Sequence, residues 1–167
     1  MATLLNNETI GYQKSHVDHL LISSSAFTNN GRIPKKYTCD GKNVNPPLQI
    51  DGLPDDTKSM IIIVDDPDAP INVWSHWVVW NILPTKKIPE GIVPGVEGMN
   101  DFWQHKYGGP CPPSGVHRYF FRVYALDCNL ALGADTGRHD LEVAIKHHVL
   151  AYGHLIGLYS RQNAVIL

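Results

Sequence analysis

Residues 60–64 read Met-Ile-Ile-Ile-Val, and the six that follow read Asp-Asp-Pro-Asp-Ala-Pro. The first run is a near-continuous β-branched stretch, the pattern of a central strand buried on both faces. The second cannot prolong it, because Pro67 and Pro70 carry no ladder donor and hold φ at about −65°. Trp74 to Leu83 is strand-like again, with both faces mostly apolar, and only about nine residues separate the two runs. A connection that short favours an antiparallel hairpin. His117 to Leu126 alternates cleanly and reads as a third strand, with His117, Tyr119, Phe121 and Val123 on one face.

The rest of the chain is heavily punctuated. Fourteen glycines and twelve prolines form about one residue in six, above the usual ~12%, so long helices are disfavoured. Residues 1–19 read as an irregular lead-in with one helical turn, and residues 20–167 as one domain. Tyr37-Thr38-Cys39 reads as a short strand, Leu48-Gln49-Ile50 as an edge strand among prolines, and His154 to Ser160 as a closing strand. Asp140 to Tyr152 has the spacing of the one convincing helix, with Gly153 placed to end it. His147 and His148 are neighbours about 100° apart on such a helix and cannot chelate together. Many short strands, one late helix and long ordered loops predict a mostly β protein, an antiparallel β-sandwich.

Composition excludes several function classes. Fourteen basic and sixteen acidic side chains leave a formal net charge of −2, with no block of like charge, so the footprint of a nucleic-acid binder is missing. No run approaches the ~18 apolar residues of a membrane span, and a cytoplasmic protein is the default expectation. Cys39, Cys111 and Cys128 are odd in number and far apart, which predicts reduced thiols and no zinc knuckle.

The hairpin places Asp66 and Asp68 close to His76, and a carboxylate beside an imidazole fixes its tautomer and raises its pKa. His117 opens its strand directly after a loop rich in glycine and proline, residues 108–115. If both strands end at one edge of the sandwich, two imidazoles, the Tyr119 hydroxyl and the backbone N–H groups of Gly108 and Gly109 line one mouth over an aromatic floor. Such donors suit a small anion, a phosphate or a carboxylate. Arg118 points to the opposite face and reads as a structural ion-pair partner.

Asp66-Pro67-Asp68-Ala69-Pro70, then Trp74-Ser75-His76-Trp77, then Gly109-Pro110-Cys111-Pro112-Pro113-Ser114-Gly115-Val116-His117-Arg118-Tyr119, in this order and spacing, resemble the phosphatidylethanolamine-binding protein family. The similarity runs from about Leu20 to Arg161, and the short length is similar to the bacterial and archaeal branch. The resemblance implies an antiparallel sandwich with an anion pocket at one end and cis peptide bonds near the Asp-Pro-Asp-Ala-Pro turn. It carries the pocket residues onto Asp66, Asp68, His76, His117 and Tyr119, with Pro112 from the loop beside Gly108 and Gly109. It further implies binding of phosphate-bearing groups such as phosphoethanolamine, regulation of a kinase, protease or other protein partner, and a homodimer, with no cofactor and no catalytic reaction. The chain departs from eukaryotic relatives in a shorter loop between Pro70 and Trp74 and in leaving no room for a further C-terminal helix, so kinase inhibition does not carry over.

Two enzymatic alternatives stand beside this expectation. Cys111 lies six residues before His117, so an Asp–His–Cys group would suit acyl transfer, although its proline-rich setting shows no oxyanion helix. A metal-dependent hydrolase would use Asp66, His76 and His117. A protease or kinase inhibitor working through a surface loop is a further alternative.

Overall fold

The structure, a computed structural model, describes residues 16–161. Most of the lead-in expected over residues 1–19 lies outside the described residues. Of its described part, Asp18–His19 forms a strand of the large sheet.

In chain order the strands are β1 (Asp18–His19), β2 (Leu21–Ser23), β3 (Gly31–Arg32), β4 (Leu48–Asp51), β5 (Ser59–Asp66), β6 (Trp74–Ile82), β7 (Lys87–Ile88), β8 (Val96–Glu97), β9 (His117–Leu126) and β10 (Val149–Tyr159), with helix α1 (Arg138–Ala144) before the last. A seven-stranded sheet runs β1-β10-β9-β5-β6-β8, with β3 also beside β10, and a three-stranded sheet runs β2-β4-β7. The long neighbours are antiparallel, and only the two-residue β1 and β3 lie parallel to β10. This is the mostly β sandwich with one late helix that the strand pattern predicts.

Strand β5 is buried along its whole length because the large sheet is covered on both faces. Met60, Ile62 and Val64 point into the inter-sheet core with Trp77, Val79, Phe121 and Val123. Ile61 and Ile63 point the other way, with Val78, Trp80 and Leu126, and are covered by Leu141 and Ile145 at α1. Residues ending β5 and beginning β6 and β9 therefore meet at one end of the sandwich.

Four local expectations are corrected. Leu48-Gln49-Ile50, expected at a sheet edge, is the central strand of the small sheet, because the neighbouring prolines lie outside β4 and leave it free to pair with β2 and β7. The helix spans only Arg138–Ala144, and residues expected to continue it form β10 instead. Leu150-Ala151-Tyr152 suits either state, and the ladder against β9 decides, from Val149↔Leu126 to Tyr159↔His117. Gly153, expected to stop the helix, sits within β10, where a Cβ would run into the Leu20 carbonyl. His147 and His148 consequently fall in the turn between α1 and β10. Tyr37-Thr38-Cys39 is not a strand: Lys35–Tyr37 forms a 3₁₀ turn that starts at Pro34 and closes with Thr38 Oγ1 donating to the Lys35 carbonyl at 2.8 Å. Finally, every peptide bond among the described residues is trans. The Asp-Pro-Asp-Ala-Pro turn is closed instead by Asp66 Oδ1, which accepts the Asp68 N–H at 2.8 Å.

Candidate functional site

A β-bulge sets the position of His76. Val64 pairs with Trp77 and Asp65 with Ser75, so β6 carries one residue more than β5 at this point, and that residue is His76. The bulge breaks the alternation that would put His76 with Val78 and Trp80 beneath α1. Its ring instead packs edge-on against Tyr119, an inter-sheet residue, with centroids 5.2 Å apart, and against Phe102 at the same distance.

Nδ1 of His76 faces the Gly108 carbonyl oxygen at 2.7 Å. A carbonyl can only accept, so this nitrogen carries the hydrogen and Nε2 is the free acceptor of the neutral ring. Burial pushes the His76 pKa down, outweighing the Gly108 carbonyl and the Asp66 charge, which push it up. The expectation of a carboxylate-raised His76 is thereby overturned. The carboxylate goes to His117, whose Nδ1 donates to Asp66 Oδ2 at 2.6 Å. Asp66 continues the inward face of Met60, Ile62 and Val64, and His117 that of Tyr119 and Phe121, so the pair forms where β5 ends beside the start of β9.

Tyr119 is fully buried, and its hydroxyl has no hydrogen-bond partner. Burial, then the nearby Asp66 charge, holds its pKa far above the ordinary phenol value, although the carboxylate is not placed to accept its proton in a well-formed bond. Asp66, His76, His117 and Tyr119 converge on a cavity of about 200 Å³ whose remaining wall is apolar, from Ala69, Pro70, Trp74, Phe102, Pro112 and Pro113, with Cys111.

Other expected residues take different places. Asp68 does not line the cavity. Arg118 grips it with Nε and Nη2, each at 2.9 Å, and adds its backbone N–H at 2.9 Å. The Arg118 hydrogen bonds lower the Asp68 pKa to about 2. This ion pair fastens the 66–70 turn to the start of β9. The N–H groups of Gly108 and Gly109 are not free for an anion either, since they donate to the His76 carbonyl at 3.0 Å and to Asn43 Oδ1 at 2.7 Å. Gly109 is required for close approach, because a Cβ there would strike the Tyr37 carbonyl and Thr38.

The expectation of three reduced thiols is also overturned. Cys39 and Cys111 form a disulfide with Cα atoms 5.5 Å apart, which ties the 108–115 loop to the turn after Tyr37. Fold topology brings together residues 72 positions apart, a closeness that spacing alone does not show. Cys128 is the free cysteine. Two further residues escaped sequence reasoning because their loop has no periodicity. Phe102 walls the cavity, and Asn100 holds that wall in place: its Nδ2 donates to the His76 carbonyl at 3.1 Å and the Lys106 carbonyl at 2.8 Å, while its Oδ1 accepts from Phe102 and Gln104.

Comparison with known proteins gives one family. The phosphatidylethanolamine-binding protein profile matches residues 23–160. A UPF0098 protein of Archaeoglobus fulgidus is 51% identical over 151 residues, covering 86% of this chain and 52% of its own, so the chain spans about half of that relative's length. A UPF0098 protein of Pyrococcus horikoshii is also 51% identical, over 150 residues, covering 83% of this chain and 76% of its own. Among solved structures, a phosphatidylethanolamine-binding protein homologue from Chlamydia trachomatis superposes with a TM-score of 0.83 at 36% identity, covering 87% of this chain and 99% of its own. Escherichia coli YbcL, described as a member of the mammalian family, gives 0.80 at 27% identity, covering 86% and 99%. No helix among the described residues is long and apolar enough to cross a membrane. The chain belongs to the phosphatidylethanolamine-binding protein family.

Proposed function

We propose that this chain is a non-catalytic receptor for a small phosphate-bearing anion, such as a phosphoethanolamine-like head group, and that occupancy is read by a protein partner. The observation that carries this reading is the buried Tyr119 hydroxyl, a donor without a partner, in a small cavity it shares with His76 and His117. Both imidazoles have Nδ1 tied back to the protein, so their Nε2 atoms are the ring positions left for a ligand. A phosphate oxygen would accept from Tyr119, and a protonated phosphate P–OH would donate to a neutral Nε2 or be replaced by an imidazolium donor. Asp66 and Asp68 act by orienting groups: Asp66 sets the His117 tautomer, and Asp68 holds the turn.

Calorimetry with inorganic phosphate and phosphoethanolamine tests the proposal. Binding is expected at pH 5.5, weaker at pH 8, and lost in His117→Ala. Absence of binding at pH 5.5, or indifference to that substitution, refutes it. A partner, including a protease bound through a surface loop, would be captured differently with and without phosphate.

The Asp66–His117 pair favours one second reading, hydrolysis with His117 as general base toward water. Cys111 cannot serve as its nucleophile while its sulfur is bonded to Cys39. Turnover of a phosphate or carboxylate ester that is abolished by His117→Ala would establish this second reading in place of the first.

A further inference from the structure

The end of β9 opposite His117 carries a second constellation. Asp127 and Cys128 follow the last residue of β9, and His148 immediately precedes β10. At ~3.3 Å per residue, the ten residues of β9 put this cluster about 30 Å from the cavity. The two segments are locked together: Leu126 pairs with Val149, and the Asp127 N–H donates to the His148 carbonyl at 3.1 Å. The Ser59 hydroxyl donates to the Cys128 carbonyl, fixing the third residue from the neighbouring strand.

One ligand atom from each of Asp127, Cys128 and His148 lies within 4.8 Å of the other two. The edge of a zinc tetrahedron built with bonds of ~2.0–2.3 Å is about 3.5 Å, so closure needs only side-chain rotation of about an ångström. His148 Nδ1 and Asp127 Oδ1 already face each other at 2.8 Å across one hydrogen. Cys128 and His148 are half-buried and Asp127 is exposed, which leaves an outward position open to water. A thiolate with an imidazole selects zinc and its softer neighbours over magnesium or calcium.

We propose that Asp127, Cys128 and His148 form a zinc-type metal site with three protein ligands and one exchangeable position. On binding, the Cys128 thiol releases one proton to solvent, and the imidazole moves its hydrogen from Nδ1 to Nε2 as the metal takes the place between it and Asp127. The site is independent of the anion cavity.

The experiment is a cobalt titration of the full chain without reductant, followed by zinc. With Cys39 joined to Cys111, Cys128 supplies the one thiol, so a thiolate-to-cobalt charge-transfer band reports this site alone. The expected result is saturation at one equivalent, displacement of cobalt by zinc, loss of the band in Cys128→Ser, and at least tenfold weaker binding in His148→Gln. His147→Ala, at the adjacent exposed histidine, is expected to bind as the unsubstituted chain does. If Cys128→Ser does not fold, His148→Gln against His147→Ala carries the test. Absence of a thiolate band, or equal zinc affinity in His148→Gln and the unsubstituted chain, overturns the proposal.

Discussion

His117 Nδ1 stands 2.6 Å from Asp66 Oδ2, and both side chains are nearly closed to solvent. Removing one member of such a buried pair strands the other. Asp66→Asn is expected to destabilise the chain by about 3 kcal/mol, read as a lower urea midpoint at unchanged slope. A loss under about 1 kcal/mol would mean the pair contributes little to the fold.

The contrast is Asp68, whose bonds to Arg118 lie near the surface. Its carboxyl titrates at about 2, below the usual 3.8, so its contribution is complete above pH 3.8 and is lost as pH falls toward 2. Solvent screening keeps that contribution to no more than about 1 kcal/mol. Asp68→Ala should therefore cost far less than Asp66→Asn in the same melts at pH 7.

Tyr119→Phe separates architecture from ligand recognition. The substitution removes a buried hydroxyl with no partner, so the ligand-free chain should keep its stability or gain about 1 kcal/mol. Phosphate affinity should fall about tenfold or more, as for loss of a hydrogen bond to a charged group. A hydroxyl that was merely structural would give the opposite pattern, with stability falling and affinity unmoved.

His76 makes stability and binding respond oppositely to acid. Its pKa is lowered by burial, so the unfolded chain takes up this proton at a higher pH than the folded one, and ligand-free stability falls as pH drops below about 6.5. Under the proposed function, bound phosphate would draw the proton in and should bind more tightly over the same interval. Calorimetry in two buffers of different ionisation enthalpy would register proton uptake on binding, and His76→Asn should diminish it.

The disulfide predicts a thiol count. Under denaturing, non-reducing conditions one thiol per chain should react, and three after reduction. Replacing both Cys39 and Cys111 by Ser should cost about 4 kcal/mol by the chain-entropy relation for a separation of 72 residues. Because Cys111 walls the cavity, phosphate affinity should weaken as well.

The parts of the fold legible in the sequence are those where neighbours along the chain decide the outcome. Met60 to Val64 announces a doubly covered strand, the short link to Trp74 announces a hairpin, and His117 and Tyr119 share a face by simple alternation. What was hidden depends on contacts across the fold. The extra residue at His76 shows only when β6 is set against β5. The Asp66 carboxylate lies within reach of both strands, and the partner it takes is fixed by how β9 sits beside β5. Nothing local to Gly108 and Gly109 shows that their N–H groups are taken, since the acceptors, the His76 carbonyl and Asn43 Oδ1, lie far away along the chain. The 149–152 segment has no local bias strong enough to resist the ladder that β9 offers.

The short strands at the margins of the large sheet bear on self-association. An open row of backbone N–H and C=O groups invites another chain to add itself as a further strand. Here β8 closes one side with two residues, while β1 and β3 occupy separate stretches of β10 on the other, at Ala151–Tyr152 and Gly157–Leu158. Among the described residues, the outermost strands of the large sheet are therefore two-residue segments, and each offers another chain only a short row of backbone groups to pair with.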